Sequence, residues 1–258
     1  MSAQHDPSLA LRCLVTGATG IGAAVSLRLA DLGHRVFVVS LDPGECRSLT
    51  GRLGERSAGF HAADLRAEDA AVAAFTAADQ ALGGLDLVVA VAGGSGRRFG
   101  DGPLHEVTLH AWEETLRLNL TTAFLTAREA VRRLRRTGGS LVLVGSVLAT
   151  RPSPDLFGTH AYAAAKAAIG GLATTLASTY APDGVRVNAV APGLVRTPMA
   201  RRAADDPVIQ EYARRKQPLA AGMIEPGAVA AAVCAIGLAE GVTGQTVAVD
   251  GGWSVSEA

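Results

Sequence analysis

Short apolar runs rich in β-branched residues recur along the chain without the polar alternation of a half-exposed strand. They are LRCLV (11–15), RVFVVS (35–40), LDLVVAVA (85–92), SLVLV (140–144), VRVNAV (185–190) and TVAV (246–249). Unalternated runs of this length predict strands covered on both faces, as in a parallel sheet. A weaker run, GFHAA, stands at 59–63. Between the runs, apolar residues return at helical spacing over 20–32, 66–82, 109–136, 161–180 and 226–239. Strand and helix therefore alternate, which predicts an α/β fold: a doubly wound parallel sheet of about seven strands with helices on both faces. No Pro/Ser-rich linker or internal repeat interrupts the alternation, so a single domain over 1–258 is expected. The longest stretch without strand character runs from 191 to 225, and within it 194–224 is expected to form a substrate lid.

A length of 258 residues suits one α/β domain with a large core. The 24 basic and 24 acidic residues cancel, so no net field draws nucleic acid or an anionic membrane, and neither is expected as a partner. The first residues, MSAQHDPSL, show no basic stretch leading into an apolar one, and no apolar run approaches the roughly 18 residues of a membrane helix. Cys13, Cys46 and Cys234 are odd in number and irregularly spaced, which gives neither a disulfide framework nor metal-ligand spacing. A reduced, cytoplasmic setting without a metal is the expectation.

In a doubly wound sheet, ligands bind beyond the carboxyl ends of the strands, so the segments after strands are where chemistry is sought. CLVTGATGIGAAV (13–25) runs from strand through a glycine turn into a helix, with Gly17, Gly20 and Gly22 spaced G-x-x-G-x-G rather than the usual G-x-G-x-x-G. The helix from Ile21 onward would point free backbone N–H groups and a positive dipole end at a pyrophosphate. YAAAK (162–166) places a phenol and an ammonium on one helix face, where Lys166 would lower the pKa of Tyr162. Each motif alone is commonplace, one in close-packed strand–helix turns and the other on solvated helix faces. Context raises both: Ser146 ends the preceding strand, and Asn119 lies in the helix before that. A hydroxyl, a phenol, an ammonium and a carboxamide are what carbonyl polarisation with proton relay requires.

From Leu11 to Trp253 the chain resembles the short-chain dehydrogenase/reductase family, in its single-domain branch with a Tyr-x-x-x-Lys active site, and is similar to 3-oxoacyl reductases. The resemblance rests on motifs in the family's order: TGATGIG, ADL (63–65), LNL (118–120), GS (145–146), YAAAK, NAVAPGLVRTPM from 188 and GVTGQTVAVDGG from 241. It implies a Rossmann-type sheet and NAD(P)(H)-dependent hydride transfer between nicotinamide and a small-molecule ketone or secondary alcohol. Tyr162 is implied as general acid/base, and Ser146 as the donor that orients the substrate oxygen. Lys166 is implied to bind nicotinamide ribose and depress the Tyr162 pKa, and Asn119 to hold a water that relays protons to Lys166. The resemblance further implies that Gly17, Gly20, Ile21 and Gly22 hold the pyrophosphate, with Ala92 and Gly93 in the adjoining wall. Asp64 would face the adenine edge beside Leu65, while Pro192, Gly193 and Thr197 would flank the nicotinamide.

Two departures bear on the cofactor. The family's turn is usually T-G-x-x-x-G-x-G, so one residue is missing between Gly17 and Gly20. AVAG (90–93) stands where the family usually has N-N-A-G, so Ala90 and Val91 lack the side-chain hydrogen bonds of the first asparagine. Backbone N–H groups carry most phosphate recognition at a helix N-terminus, so dinucleotide binding is expected to persist. A sensor or scaffold that binds dinucleotide without turnover is the alternative, and the four retained catalytic types weigh against it. NAD(H) is expected in preference to NADP(H). At the end of VVSLD (38–42), the family's usual acidic position falls on Ser40 and its basic one on Leu41, and the Asp42 carboxylate would reach the ribose and repel a 2′-phosphate. Arg47 is the residue that could reverse that preference.

RRLRR (132–136) reads as a solvated, dipole-matched helix end, with docking of an acidic carrier protein as the alternative. DGGW (250–253) reads as a turn after the last strand. The small-residue face AAAKAAIGGLATTLAS (163–178) allows close helix approach, and family members commonly associate. A homo-oligomer, a tetramer built on 109–136 and 161–180, is therefore expected. Segments 94–105, 147–160 and 194–224 would set the substrate and carry no recognisable pattern.

Overall fold

The apolar runs assemble into one fully parallel seven-stranded sheet, in the order β3-β2-β1-β4-β5-β6-β7. The computed structural model describes residues 10–256, so the N-terminal segment MSAQHDPSL lies outside the described residues. The strands are Arg12–Thr16 (β1), Arg35–Ser40 (β2), Ser57–Ala62 (β3), Leu87–Ala90 (β4), Gly139–Val144 (β5), Val185–Pro192 (β6) and Thr246–Val249 (β7). The helices are Gly20–Asp31 (α1), Pro43–Leu53 (α2), Glu68–Leu82 (α3), Leu109–Leu116 (α4), Thr122–Leu134 (α5), Pro154–Phe157 (α6), His160–Tyr180 (α7), Arg201–Asp205 (α8), Pro207–Lys216 (α9) and Pro226–Leu238 (α10).

Alternate residues of each strand enter opposite cores, which is why the runs carry no polar beat. Leu14, Phe37, Val88 and Leu141 pack with Phe75, Ala123 and Ile169 of α3, α5 and α7. Their neighbours Cys13, Val15, Val36 and Val89 pack with Val25, Leu49 and Val229 of α1, α2 and α10. The chain reverses its winding between β3 and β4, and the β1/β4 boundary is where such a sheet opens a ligand crevice.

Two helical features differ from the apolar periodicity. The single helix expected over 109–136 is broken by a π-helical turn at Arg117–Thr121 between α4 and α5. Helix α2 has no broad apolar face to mark it; Asp42 caps its N-terminus and Pro43 opens its first turn. At the end of α5, Arg132 pairs with Glu129, Arg133 with Asp79 and Glu129, and Arg135 with Asp183. These pairs favour the helix-end reading of RRLRR over an open docking patch. The three cysteines are buried free thiols, and no helix among the described residues is long and apolar enough to cross a membrane.

Candidate active site

The turn after β1 is drawn tight. Gly17 adopts φ +94° and donates its N–H to Val39 O at 2.7 Å, a conformation that favours glycine. A Cβ on Gly22 would collide with the carbonyl oxygen of Gly17, so Gly22 sits behind the turn as a packing residue rather than on the cleft wall. Gly20, at φ +52°, lies against Thr197, whose Cγ2 would be 2.9 Å from an added Cβ. Thr19 is extended and supplies no side-chain cap to α1, which leaves the first turn's N–H groups for a ligand. In the wall beside the turn, Thr16 Oγ1 accepts from the N–H groups of Val91 (2.9 Å) and Ala92 (3.0 Å). A strand-end hydroxyl thus fixes the loop where an asparagine side chain is missing.

Beyond the strand ends lies a cleft of about 780 Å³. Gly17, Gly20 and Ile21 line it with Ser40 and Leu41 from the end of β2. Asp64 and Leu65 follow from the end of β3, with Ala92 and Gly93 after β4. Ser146, Tyr162 and Lys166 line it as well, together with Pro192, Gly193 and Thr197. Three expected residues are placed elsewhere: Gly22 as above, Asp42 and Asn119.

Asp42 corrects the expectation for the ribose. Its Oδ1 accepts from the N–H groups of Gly44 (2.6 Å) and Glu45 (3.0 Å), so the carboxylate caps α2 instead of facing the cleft. Glu45, one turn into that helix, lines the cleft in its place. Arg47 is not part of the wall. Asp64 is held by Arg66, with Nη2 to Oδ2 at 2.7 Å and Nε to Oδ1 at 2.9 Å. Those hydrogen bonds hold its carboxyl below the usual range against the opposing effect of burial.

Asn119 is fully buried in the π-helical turn. Its Nδ2 donates to Gly94 O (2.9 Å) and Thr115 O (3.0 Å), and its Oδ1 accepts from Gly94 N–H (3.1 Å). The carboxamide is therefore committed to shaping the Gly93–Gly94 backbone. Gly93 separates it from Lys166: a Cβ there would be 2.8 Å from Asn119 Oδ1 and 3.6 Å from Lys166 Nζ.

Helix α7 carries the central pair. Lys166 is buried, donates to Val144 O at 2.8 Å, and lies 5.7 Å from the centroid of the Tyr162 ring. Burial lowers its ammonium pKa to about 8. Burial also pushes the Tyr162 phenol up, and the polar influence of Ser146 opposes that rise only in part. This corrects the expected depression of Tyr162 by Lys166: in the protein alone, desolvation outweighs any help from the ammonium. Ser146 Oγ also accepts from Leu148 N–H at 3.2 Å, which fixes the hydroxyl at the end of β5.

Two features have no counterpart in the motif reading. Asp101, buried at 3 % exposure, accepts from the N–H groups of Ala161 (3.0 Å) and Tyr162 (2.9 Å) and so closes the first turn of α7 from a distant loop. Its only sequence mark is a lone acid between glycines, which carries no signal. Trp253, from DGGW, lines the cleft and packs edge-on against Phe157 and Tyr212 at centroid distances of 5.8 and 5.5 Å. It ties the turn after β7 to α6 and to α9.

The cleft fits a nicotinamide dinucleotide: an uncapped helix start, a turn in which Gly20 and Gly22 leave no room for a Cβ, and a buried lysine lining the same space. Comparison with known proteins agrees. A family model described as enoyl-(acyl carrier protein) reductase matches residues 15–254. The chain is 34% identical over 252 residues to a cis-4-hydroxycyclohexanecarboxylate dehydrogenase of Sinomonas cyclohexanicum, covering 93% of this chain and 95% of the relative. It is 31% identical over 243 residues to a 3-oxoacyl-[acyl-carrier-protein] reductase of Vibrio cholerae, covering 93% and 95%. Its fold superposes on a short-chain type dehydrogenase/reductase from Mycobacterium ulcerans with a TM-score of 0.87 at 29% identity, covering 97% of this chain and 93% of that one. With the motifs, the strand order and these relatives in agreement along nearly its whole length, the chain belongs to the short-chain dehydrogenase/reductase family and is an NAD(P)-dependent oxidoreductase.

Proposed function

We propose that the protein interconverts a small-molecule ketone and its secondary alcohol within one domain, with Tyr162 as general acid/base and 194–224 as the lid. The observation that carries this reading is that Ser146, Tyr162 and Lys166 line one cleft, with Lys166 Nζ 5.7 Å from the centroid of the Tyr162 ring. Nicotinamide, when bound, supplies or accepts the hydride at the substrate carbon. Ser146 donates to the substrate oxygen and orients it. Tyr162 gives its proton to that oxygen in reduction and takes it back in oxidation. The Lys166 ammonium holds the ribose. Asn119 fixes the loop between them, and a water relay to Lys166 belongs to the same proposal. Tyr162→Phe removes only the hydroxyl, so turnover on a panel of ketones and alcohols should fall by at least about 10²-fold. Unchanged turnover with dinucleotide still bound refutes the assignment.

The cofactor reading remains NAD(H) over NADP(H), now supported by Glu45 rather than Asp42. Glu45 would repel a 2′-phosphate, and the arginine at that end of the cleft, Arg66, is already engaged by Asp64. A kcat/KM ratio favouring NADP(H) by about tenfold, about 1.4 kcal/mol, overturns it. The dinucleotide-binding scaffold loses its support, because Thr16 replaces the missing asparagine contacts and the shortened turn still opens onto the cleft. A homotetramer in the cytoplasm completes the proposal, the latter on the strength of three buried free thiols.

A further inference from the structure

The substrate end of the cleft gathers guanidinium groups, and the acid near them, Asp101, is bonded to the start of α7. Arg97 comes from the turn after β4, Arg202 from α8 in the lid, and both line the same cleft as Ser146 and Tyr162. Their Nη2 atoms donate to one and the same acceptor, the Leu156 carbonyl of α6, at 3.2 and 3.3 Å. Each guanidinium has five N–H donors, and this single bond is the one side-chain hydrogen bond found for either among the described residues. Neither makes an ion pair there, and both side chains are open to solvent, whereas the half-buried Arg12, Arg66, Arg128 and Arg133 are matched to carboxylates. Arg97 is shifted below the usual arginine range, first by burial and next by the Arg202 charge, with Asp101 opposing, so the two cations feel one another.

The nearby acids are already committed. Asp101 turns both its oxygens to the α7 backbone. The acids that line the cleft, Glu45 and Asp64, follow β2 and β3 at the other edge of the sheet order. Two like charges meeting on a neutral carbonyl are poorly compensated, and an anion placed between them would be bound by charge-assisted hydrogen bonds from two sides. Two donors converging on one point match a planar two-oxygen group, one N–H to each oxygen.

We propose that Arg97 and Arg202 form an anion subsite beside the catalytic tyrosine, and that the substrate is a hydroxy acid or keto acid whose carboxylate they bind. The inference rests on the ketone/alcohol reading of the cleft and names its substrate class.

Binding is measured first, so that the outcome does not depend on turnover. The NAD⁺-loaded protein is titrated calorimetrically with a panel of cyclic and linear hydroxycarboxylates, their methyl esters and the matched hydroxyphosphonates. At least one carboxylate should bind about tenfold or more tightly than its ester, and Arg97→Gln with Arg202→Gln should abolish that difference. Arg97→Lys with Arg202→Lys should restore part of it, since charge returns without the guanidinium fork. NAD⁺ affinity and melting temperature of the same variants confirm that the cleft is intact. Equal binding of acid and ester, an acid preference that survives the double glutamine variant, no binding by any carboxylate, or tighter binding of the phosphonates overturns the assignment. Turnover of the bound acids by wild type and by Tyr162→Phe is then compared: carboxylate binding without Tyr162-dependent oxidation keeps the subsite and removes the catalytic reading.

Discussion

At the scale of single residues, the chemistry of the cleft is set by what burial does to two ionisable groups. Lys166 is buried, with the Val144 carbonyl as its hydrogen-bond partner among the described residues, and its pKa falls to about 8. Below that value it is the cation required to hold ribose hydroxyls; above it, an amine. Dinucleotide affinity should therefore weaken as pH rises through about 8, read as Kd by nucleotide fluorescence between pH 6.5 and 9.5. A flat profile would show that another group carries the ribose. The sign for stability is the reverse. An unfolded chain keeps this proton up to an ordinary lysine value near 10.4 and the native state gives it up earlier, so the unliganded protein gains stability from Lys166 as pH climbs from about 8 to that value. The residues of this pair were legible in the sequence because their types and helical spacing carry the chemistry. Their pKa balance was not, because desolvation depends on what the fold stacks above them. Asp42 shows the opposite failure. Asp42-Pro43-Gly44-Glu45 is itself a helix-start pattern, with an acid at the cap, proline at the first position and glutamate at the third. The local bond to Gly44 and Glu45 N–H groups wins over a distant ribose, and the carboxylate left facing the cleft is that of Glu45.

At the scale of elements, the strands were legible for a simple reason: a strand with helices on both faces has no solvent side, so its apolar residues run unbroken. The break between α4 and α5 was not, because apolar spacing continues through Arg117–Thr121 while the backbone widens to a π-helical turn. That widening coincides with Asn119, whose carboxamide reaches Gly94 on the neighbouring loop. The start of α7 depends in a similar way on a residue far off in sequence. No side chain of its own caps this helix, and Asp101 accepts two of its free N–H groups instead, one of them belonging to Tyr162. An acid there complements the dipole and also fixes where the phenol stands. Asp101→Asn keeps the shape and can accept only one of the two bonds, at a cost of about 1 kcal/mol in stability. If the contact positions the phenol, kcat should drop about tenfold while dinucleotide Kd stays unchanged, since small displacements of a catalytic group are costly to rate. A lowered melting temperature with full kcat would reduce Asp101 to a helix cap.

At the scale of the whole molecule, the winding of the sheet decides which surfaces are left over. Helices α5 and α7 cover one face of β4, β5 and β6, and their outer sides form a groove lined by Phe124, Val131, Leu172, Leu176 and Tyr180. Phe124 is 47 % exposed, a large ring that a single chain has no reason to leave in water. Arginines surround it: Arg128 stands 5.8 Å from the Phe124 ring centroid, and Arg132 and Arg135 line the same groove. An apolar strip with a charged rim is the usual anatomy of an interface. The occupant that best fits a strip of two parallel-lying helices is a second copy of the same strip, related by a two-fold axis, because closed symmetric pairing satisfies both copies at once. The exposed small residues Ala167, Ala168 and Gly171 on α7 would let two such helices approach closely, and the narrow part of that helix was already visible in the sequence; the exposed ring of Phe124 was not, since periodicity alone assigns it to the core. The protein should therefore run as a dimer or tetramer by light scattering at micromolar concentration. Phe124→Asp with Leu176→Asp places four like charges against one another across the axis, and should release monomers that still bind dinucleotide, because neither residue lines the active-site cleft. A wild-type monomer, or an assembly indifferent to the double variant, would remove this face as the interface.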